Sequence, residues 1–181
     1  MFHHRDPTLN RVGQHRRGFT LVELIAVSVI IGLLSVTAMI SMSSTASARE
    51  RAAARHLARD LRFAREWAMT TGLQTWLSFS LSSHSWSVLV DSRFLPGRSS
   101  ALALTDPATG NAMVTRINVD DYAGVRLMAV SVPGGGSEFG FDWLGRSENT
   151  AGTALTSDVT ITIGSAPAVR VLAGTGAVEG P

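Results

Sequence analysis

The chain has 181 residues, room for one anchoring segment and one modest soluble domain but not for two folded domains. It has no cysteine, which excludes a disulfide framework, a thiolate metal site and a cysteine nucleophile. All 16 basic residues are arginine against 14 acids, yet four of the arginines and one acid precede Phe19; the rest of the chain carries 12 arginines and 13 acids, and the global case for a nucleic-acid-binding domain lapses.

Residues 1–18 show no apolar periodicity and contain Pro7, Asn10 and Gly13, so they read as a flexible basic leader. Three of the five histidines lie in it, leaving His56 and His84, too few for a multi-histidine metal site. An apolar run from Phe19 to Met42 follows, with Glu23 as its only charge. A bilayer-crossing helix needs about 20 such residues. A carboxylate that deep costs roughly 2.5–3.5 kcal/mol on insertion scales, so Glu23 asks for a partner or a function. The arginines ahead of the run predict a cytoplasmic leader and an exported C-terminal part.

Arg17-Gly18-Phe19-Thr20-Leu21-Val22-Glu23-Leu24-Ile25 resembles the start of the type IV pilin and pseudopilin family: a short Arg-rich leader ends in Gly18, Phe19 follows, and a glutamate stands fifth in the would-be mature chain. The resemblance implies that an inner-membrane prepilin peptidase cuts between Gly18 and Phe19 and methylates the new amine on Phe19. It also implies that Glu23 neutralises the terminal amine of a neighbouring subunit, consistent with the rule that a buried carboxylate is tolerable beside a buried cation. A secretory signal peptide differs, because its cleavage site follows the apolar run.

No proline stands between Pro7 and Pro96, so the helix is predicted to run from Phe19 to about Thr71, roughly 80 Å at 1.5 Å per residue. Many pilins carry a proline where this chain has Ile40; here Ser41–Ser47, rich in Ser and Thr, lowers helix propensity instead and either loosens the helix on assembly or marks its exit into water. From Arg49 the helix is amphipathic. Ala54, Leu57, Leu61, Ala64 and Ala68 form one stripe, and Arg51, Arg55, Arg59 and Arg62 fall opposite it. The stripe is predicted to pack on a sheet. The arginine face reads as a solvated surface or a contact for acidic groups of neighbouring subunits.

Beyond Gly72 the period becomes two. Leu73, Thr75, Leu77, Phe79 and Leu81 predict one buried strand face; Ser82–Ser85, with His84 in solvent, is a turn, and Trp86, Val88 and Val90 return as a hairpin. Residues 91–112 are dense in turn formers and predict a long surface connection. Strands are predicted at Met113–Val119, Val125–Val130, across Phe139, Phe141 and Trp143, across Val159, Ile161 and Ile163, and at Val169 with Val171. The tail from Gly174 shows no core pattern. The fold class is therefore α+β and pilin-like: leader 1–18, transmembrane helix half 19–42, amphipathic helix half 43–72, and a periplasmic antiparallel β-sheet domain 73–181.

Pro133–Gly136 lacks the Gly-Lys-Ser/Thr of a phosphate loop, no Gly-x-Ser-x-Gly elbow occurs, neither His56 nor His84 has an acid at a telling spacing, and Asp120-Asp121 offers too few oxygens for calcium. Neither an enzyme nor a cofactor is expected. The helix, the hairpin and Phe139–Arg146 resemble the GspH/FimT branch, minor pseudopilins of type II secretion and minor type IV pilins, whose filaments move folded proteins across the outer membrane or build pili. Members that take up DNA carry Gly-Arg-x-Arg near the C-terminus. Here the nearest segment is Gly176-Ala177-Val178-Glu179, with neither arginine. Since DNA affinity rises with each phosphate neutralised, a minor pseudopilin partnered by prepilin peptidase, other pilin-like subunits and the inner membrane is the primary expectation, and a FimT-like pilin in pilus assembly or DNA uptake the alternative.

Overall fold

The structure, a computed structural model, describes residues 19–94 and 96–181, and of residues 36–44 the backbone alone. The predicted leader, Gly18 included, lies outside the described residues. The chain separates into two units, residues 1–41 and 42–181, taken here in turn.

The first unit holds the start of the long helix α1 (Leu21–Thr71). Thr20 caps it: its side-chain oxygen accepts the Glu23 backbone N–H at 3.2 Å, and its carbonyl accepts the Leu24 N–H at 3.1 Å. Thr20 and Glu23 have the spacing of a capping box, and an acid in the first turn is favoured by the helix dipole. Leu21, Val22, Leu24, Ile25, Val29 and Ile30 are all more than half exposed, so the surface is apolar on every side. Such a helix suits lipid or other chains rather than water. Ser28 and Ser35 turn their hydroxyls back onto the Leu24 and Ile31 carbonyls at 2.8 and 2.7 Å, satisfied without water. Among the described residues no helix is long and apolar enough to cross a membrane. Side chains are described here only through Ser35, 17 residues from Phe19, short of the about 20 a crossing needs; much of the rest of the predicted span lies outside them. The helical backbone is unbroken across the serine-rich run 41–47.

In the second unit the predicted stripe is fully buried: Ala54, Leu57, Leu61, Ala64 and Ala68, widened by Ala53 and Ala58. Gly72, at φ 71°, ends α1 with its N–H on the Ala68 carbonyl at 2.9 Å, a left-handed cap that glycine adopts without strain. Among the described residues ten strands follow: β1 (Thr75–Ser80), β2 (Ser85–Val90), β3 (Leu102–Ala103), β4 (Val114–Arg116), β5 (Leu127–Ser131), β6 (Glu138–Phe141), β7 (Ser147–Glu148), β8 (Val159–Ile163), β9 (Val169–Val171) and β10 (Val178–Glu179). They form two sheets, ordered β3-β2-β1-β6-β7, with β4 also on β2, and β10-β9-β8-β5; the paired strands are antiparallel throughout. Leu77, Trp86, Val88, Phe139 and Phe141 of the first sheet, Val159, Ile161, Val169 and Val171 of the second, and the α1 stripe share one core.

Several strand expectations are corrected. Leu73 is only half-buried and Leu81 lies at the hairpin tip, 44% exposed, because β1 spans only Thr75–Ser80. Trp76, which the alternation through Thr75 and Leu77 puts on the opposite, outer face, is buried: it stands opposite Gly140 of β6, where a Cβ would collide with its ring and with the Thr75 carbonyl. Trp143 is 59% exposed because β6 ends at Phe141. There Asp142 turns the chain, accepting the N–H groups of Leu144 (3.0 Å) and Arg146 (2.8 Å) and pairing with the Arg146 guanidinium at 2.7 Å. Residues 91–112 are not all loop, since β3 pairs with β2 and Thr105 bridges Ala112. The tail from Gly174 contributes β10.

Candidate functional site

At the N-terminal end of the described chain Phe19 is 79% exposed and the Glu23 side chain is also exposed. Among the described residues nothing pairs with the Glu23 carboxylate. Among the described residues an acid without a side-chain partner thus lies in the first turn of α1, beside exposed apolar side chains.

The second predicted feature is the basic face of α1. Arg51, Arg55, Arg59 and Arg62 are all exposed, as the spacing predicted, on the side away from the alanine stripe. Arg62 is partly engaged within the chain, donating to the Val178 carbonyl of β10 at 3.2 Å. Arg59 lies 3.9 Å from an Asp60 oxygen with its side chain 72% exposed. Arg51 and Arg55 make no hydrogen bond or ion pair among the described residues.

The acids among these arginines do something else. Asp60 is buried, its carboxylate accepting the Trp86 indole N–H at 2.9 Å and the Thr115 hydroxyl at 3.3 Å, with His56 Nε2 at 3.5 Å. Burial pushes the Asp60 carboxyl up, against the pull of the Trp86 hydrogen bond and of the neighbouring His56 and Arg59. The other His56 nitrogen lies 3.0 Å from the Tyr122 hydroxyl. The expectation that no acid stands at a telling distance from His56 is therefore corrected: Asp60 is one helical turn away, a spacing that places two side chains on one face. Glu50 accepts the Ser165 N–H at 2.9 Å and hydroxyl at 2.6 Å, bonds that hold its carboxyl below the usual range. Arg65, which the sequence did not single out, donates to the Gly145 and Thr175 carbonyls at 2.9 and 3.1 Å. Glu50, Asp60 and Arg65 are rivets between helix and sheets; their signal in the sequence was only that they lie nearer the stripe than Arg51 and Arg55 do. His84 adopts φ 47° in the β1–β2 turn and its Nδ1 is buried with no hydrogen-bond partner among the described residues, so it is not the fully solvated turn residue expected.

The profile of the prokaryotic N-terminal methylation motif matches residues 13–39. Two solved structures of the minor pseudopilin EpsH from the type II secretion system of Vibrio cholerae share the fold. One aligns with TM-score 0.53 at 11% identity, over 74% of this chain and 96% of that one; the other gives TM-score 0.55 at 10% identity, over 74% and 94%. This chain carries the N-terminal methylation motif on a pseudopilin fold. No curated protein matches it. The motif covers residues 13–18 and the apolar start of α1, whereas identities this low reflect the helix-and-two-sheet architecture rather than individual side chains.

Proposed function

We propose that this chain is a minor pseudopilin, a non-enzymatic subunit of a short periplasmic filament that serves type II secretion. The observation that carries the reading is the coincidence of two independent features: a methylation motif over the exposed apolar start of α1, and an EpsH-like fold in the same chain. In this reading prepilin peptidase removes residues 1–18 after Gly18 and methylates Phe19. Residues 19–42 then hold the subunit in the inner membrane, with the sheet domain in the periplasm, until assembly. Inside the filament Glu23 meets the terminal amine of a neighbour, and Arg51, Arg55, Arg59 and Arg62 face acidic groups of adjacent subunits.

Mass spectrometry of the protein purified from cells with a prepilin peptidase tests the first step. An N-terminal methylated Phe19 is expected, and Gly18→Ala should slow its appearance. Recovery of only the intact Met1 terminus from such cells removes the reading.

A further inference from the structure

The edge of the first sheet beside α1 is open. In the β2–β4 ladder Val88 donates to the Met113 carbonyl and Ile117 to the His84 carbonyl, so Met113, Thr115 and Ile117 direct their backbone toward β2. By the alternation of an antiparallel pair, Val114 and Arg116 direct theirs outward. The Val114 N–H is taken by the Ala112 carbonyl at 2.8 Å. The Val114 carbonyl and the N–H and carbonyl of Arg116 have no partner among the described residues.

This edge does not face open solvent. It borders a groove of about 680 Å³ whose far wall is α1, at His56, Arg59, Asp60 and Phe63, and whose rim is the 106–113 loop and residues 119–122. Phe63, Met113 and Tyr122 line it and are only half-buried, packed against the core from its edge. Four aspartates line it against two arginines: Asp60, Asp106, Asp120 and Asp121 against Arg59 and Arg116. Asp120 and Asp121 are exposed and enter no ion pair among the described residues. β4 is short and carries Arg116, but it has no proline to block pairing through the Val114 carbonyl and the Arg116 N–H.

We infer that this groove receives an extended, basic segment of a partner protein as an added strand on β4. Backbone pairing to Val114 and Arg116 supplies the affinity. Alternate side chains of the incoming strand rest on Phe63, Met113 and Tyr122, and the others present cations to Asp120 and Asp121, the division of labour expected of strand addition. The site goes beyond the filament reading, and the following test requires no filament.

The probe is an eight-residue peptide alternating valine and lysine, titrated by fluorescence anisotropy against the full chain in detergent micelles at low salt. Micromolar binding is expected. A twin peptide N-methylated at every residue, which has no backbone N–H left to donate from either edge, should bind about tenfold or more weakly, and a valine–glutamate peptide should not bind. Arg116→Pro removes the outward N–H while leaving the bonds to β2 in place, as edge strands tolerate. It should weaken binding by about the same factor, whereas Arg116→Ala should not. Equal binding of the methylated twin, or of the Arg116→Pro protein, overturns strand addition; equal binding of the glutamate peptide overturns the basic occupant. Either failure leaves the processing and assembly of the proposed pseudopilin untouched.

Discussion

Glu23 has one role in the described helix and a second in the proposed filament, and the two are separable. As the acid of a helix first turn, beside Thr20, it contributes roughly 0.3–1 kcal/mol to the start of α1. As the proposed partner of a terminal amine it neutralises a charge that would otherwise be buried alone, a far larger effect. Glu23→Leu makes membrane residence cheaper, so membrane levels should hold while incorporation into filaments falls. Glu23→Gln keeps the backbone bond to Thr20 but not the charge, and should fail in assembly nearly as badly, which crosslinking of assembled subunits measures. Wild-type assembly of both variants would limit Glu23 to its electrostatic effect on the helix start. Glu148 of β7 is the second informative carboxylate. Burial, then the neighbouring Asp142, pushes it up from 4.5 to about 7, and its Oε1 is buried with no hydrogen-bond partner among the described residues. Because the folded-state value is raised, the native chain holds this proton more tightly than the unfolded one. The resulting stability is fully present below about pH 4.5 and is lost as pH rises to about 7. Glu148→Gln should therefore stabilise the protein by about 1–2 kcal/mol at pH 8 and by little at pH 4.5, read from urea unfolding at the two pH values.

At the scale of elements, α1 was the most legible part of the chain, since a period of 3.6 sustained from Arg49 to Ala68 leaves little freedom in which face is buried. The alanines in that face set how near the sheets lie. Ala64 is fully buried, and its carbonyl accepts the Thr75 hydroxyl at 3.1 Å, joining helix to β1. Ala64→Leu should cost about 1–3 kcal/mol by overpacking, whereas Arg55→Leu on the exposed face should change stability by less than about 0.5 kcal/mol; thermal unfolding of the two variants separates them. The hairpin and the strands through Phe139, Ile161 and Val169 were legible for the same reason, an alternation long enough to register. β3, β7 and β10 span two residues each, too short to show a period, and exist because neighbouring strands offer them a ladder. Trp76 misled the alternation because its place depends on Gly140, distant in sequence and opposite it in the sheet. The candidate site divides similarly. Glu23 and the arginine ridge lie on one continuous helix and could be read from spacing, whereas the Asp60 cluster draws on Trp86, Thr115 and Tyr122, which only the folded chain assembles.

Across the whole molecule, charge argues against a DNA receptor. From Arg49 onward 12 arginines meet 12 acids. Of the six arginines between 49 and 65, Arg49, Arg62 and Arg65 donate to carbonyls of the sheet domain. Binding to duplex DNA should be weak and should vanish toward about 0.15 M salt, since few phosphates can be neutralised. Anisotropy at two salt concentrations checks this. Micromolar binding that survives the higher salt and is lost on replacing Arg55, Arg59 and Arg62 would make the ridge a DNA site.

The strand order carries a kinetic consequence. β1 is central in its sheet, yet one neighbour, β6, is made only after β5, which belongs to the other sheet; Thr75 must find Phe141 across that interleaved chain. Neither sheet can finish early, so loop closure over long separations governs the folding rate, a topology that folds slowly. Until β6 arrives, β1 presents a bare edge of Thr, Trp, Leu and Ser, and that edge is where a delayed chain begins to aggregate.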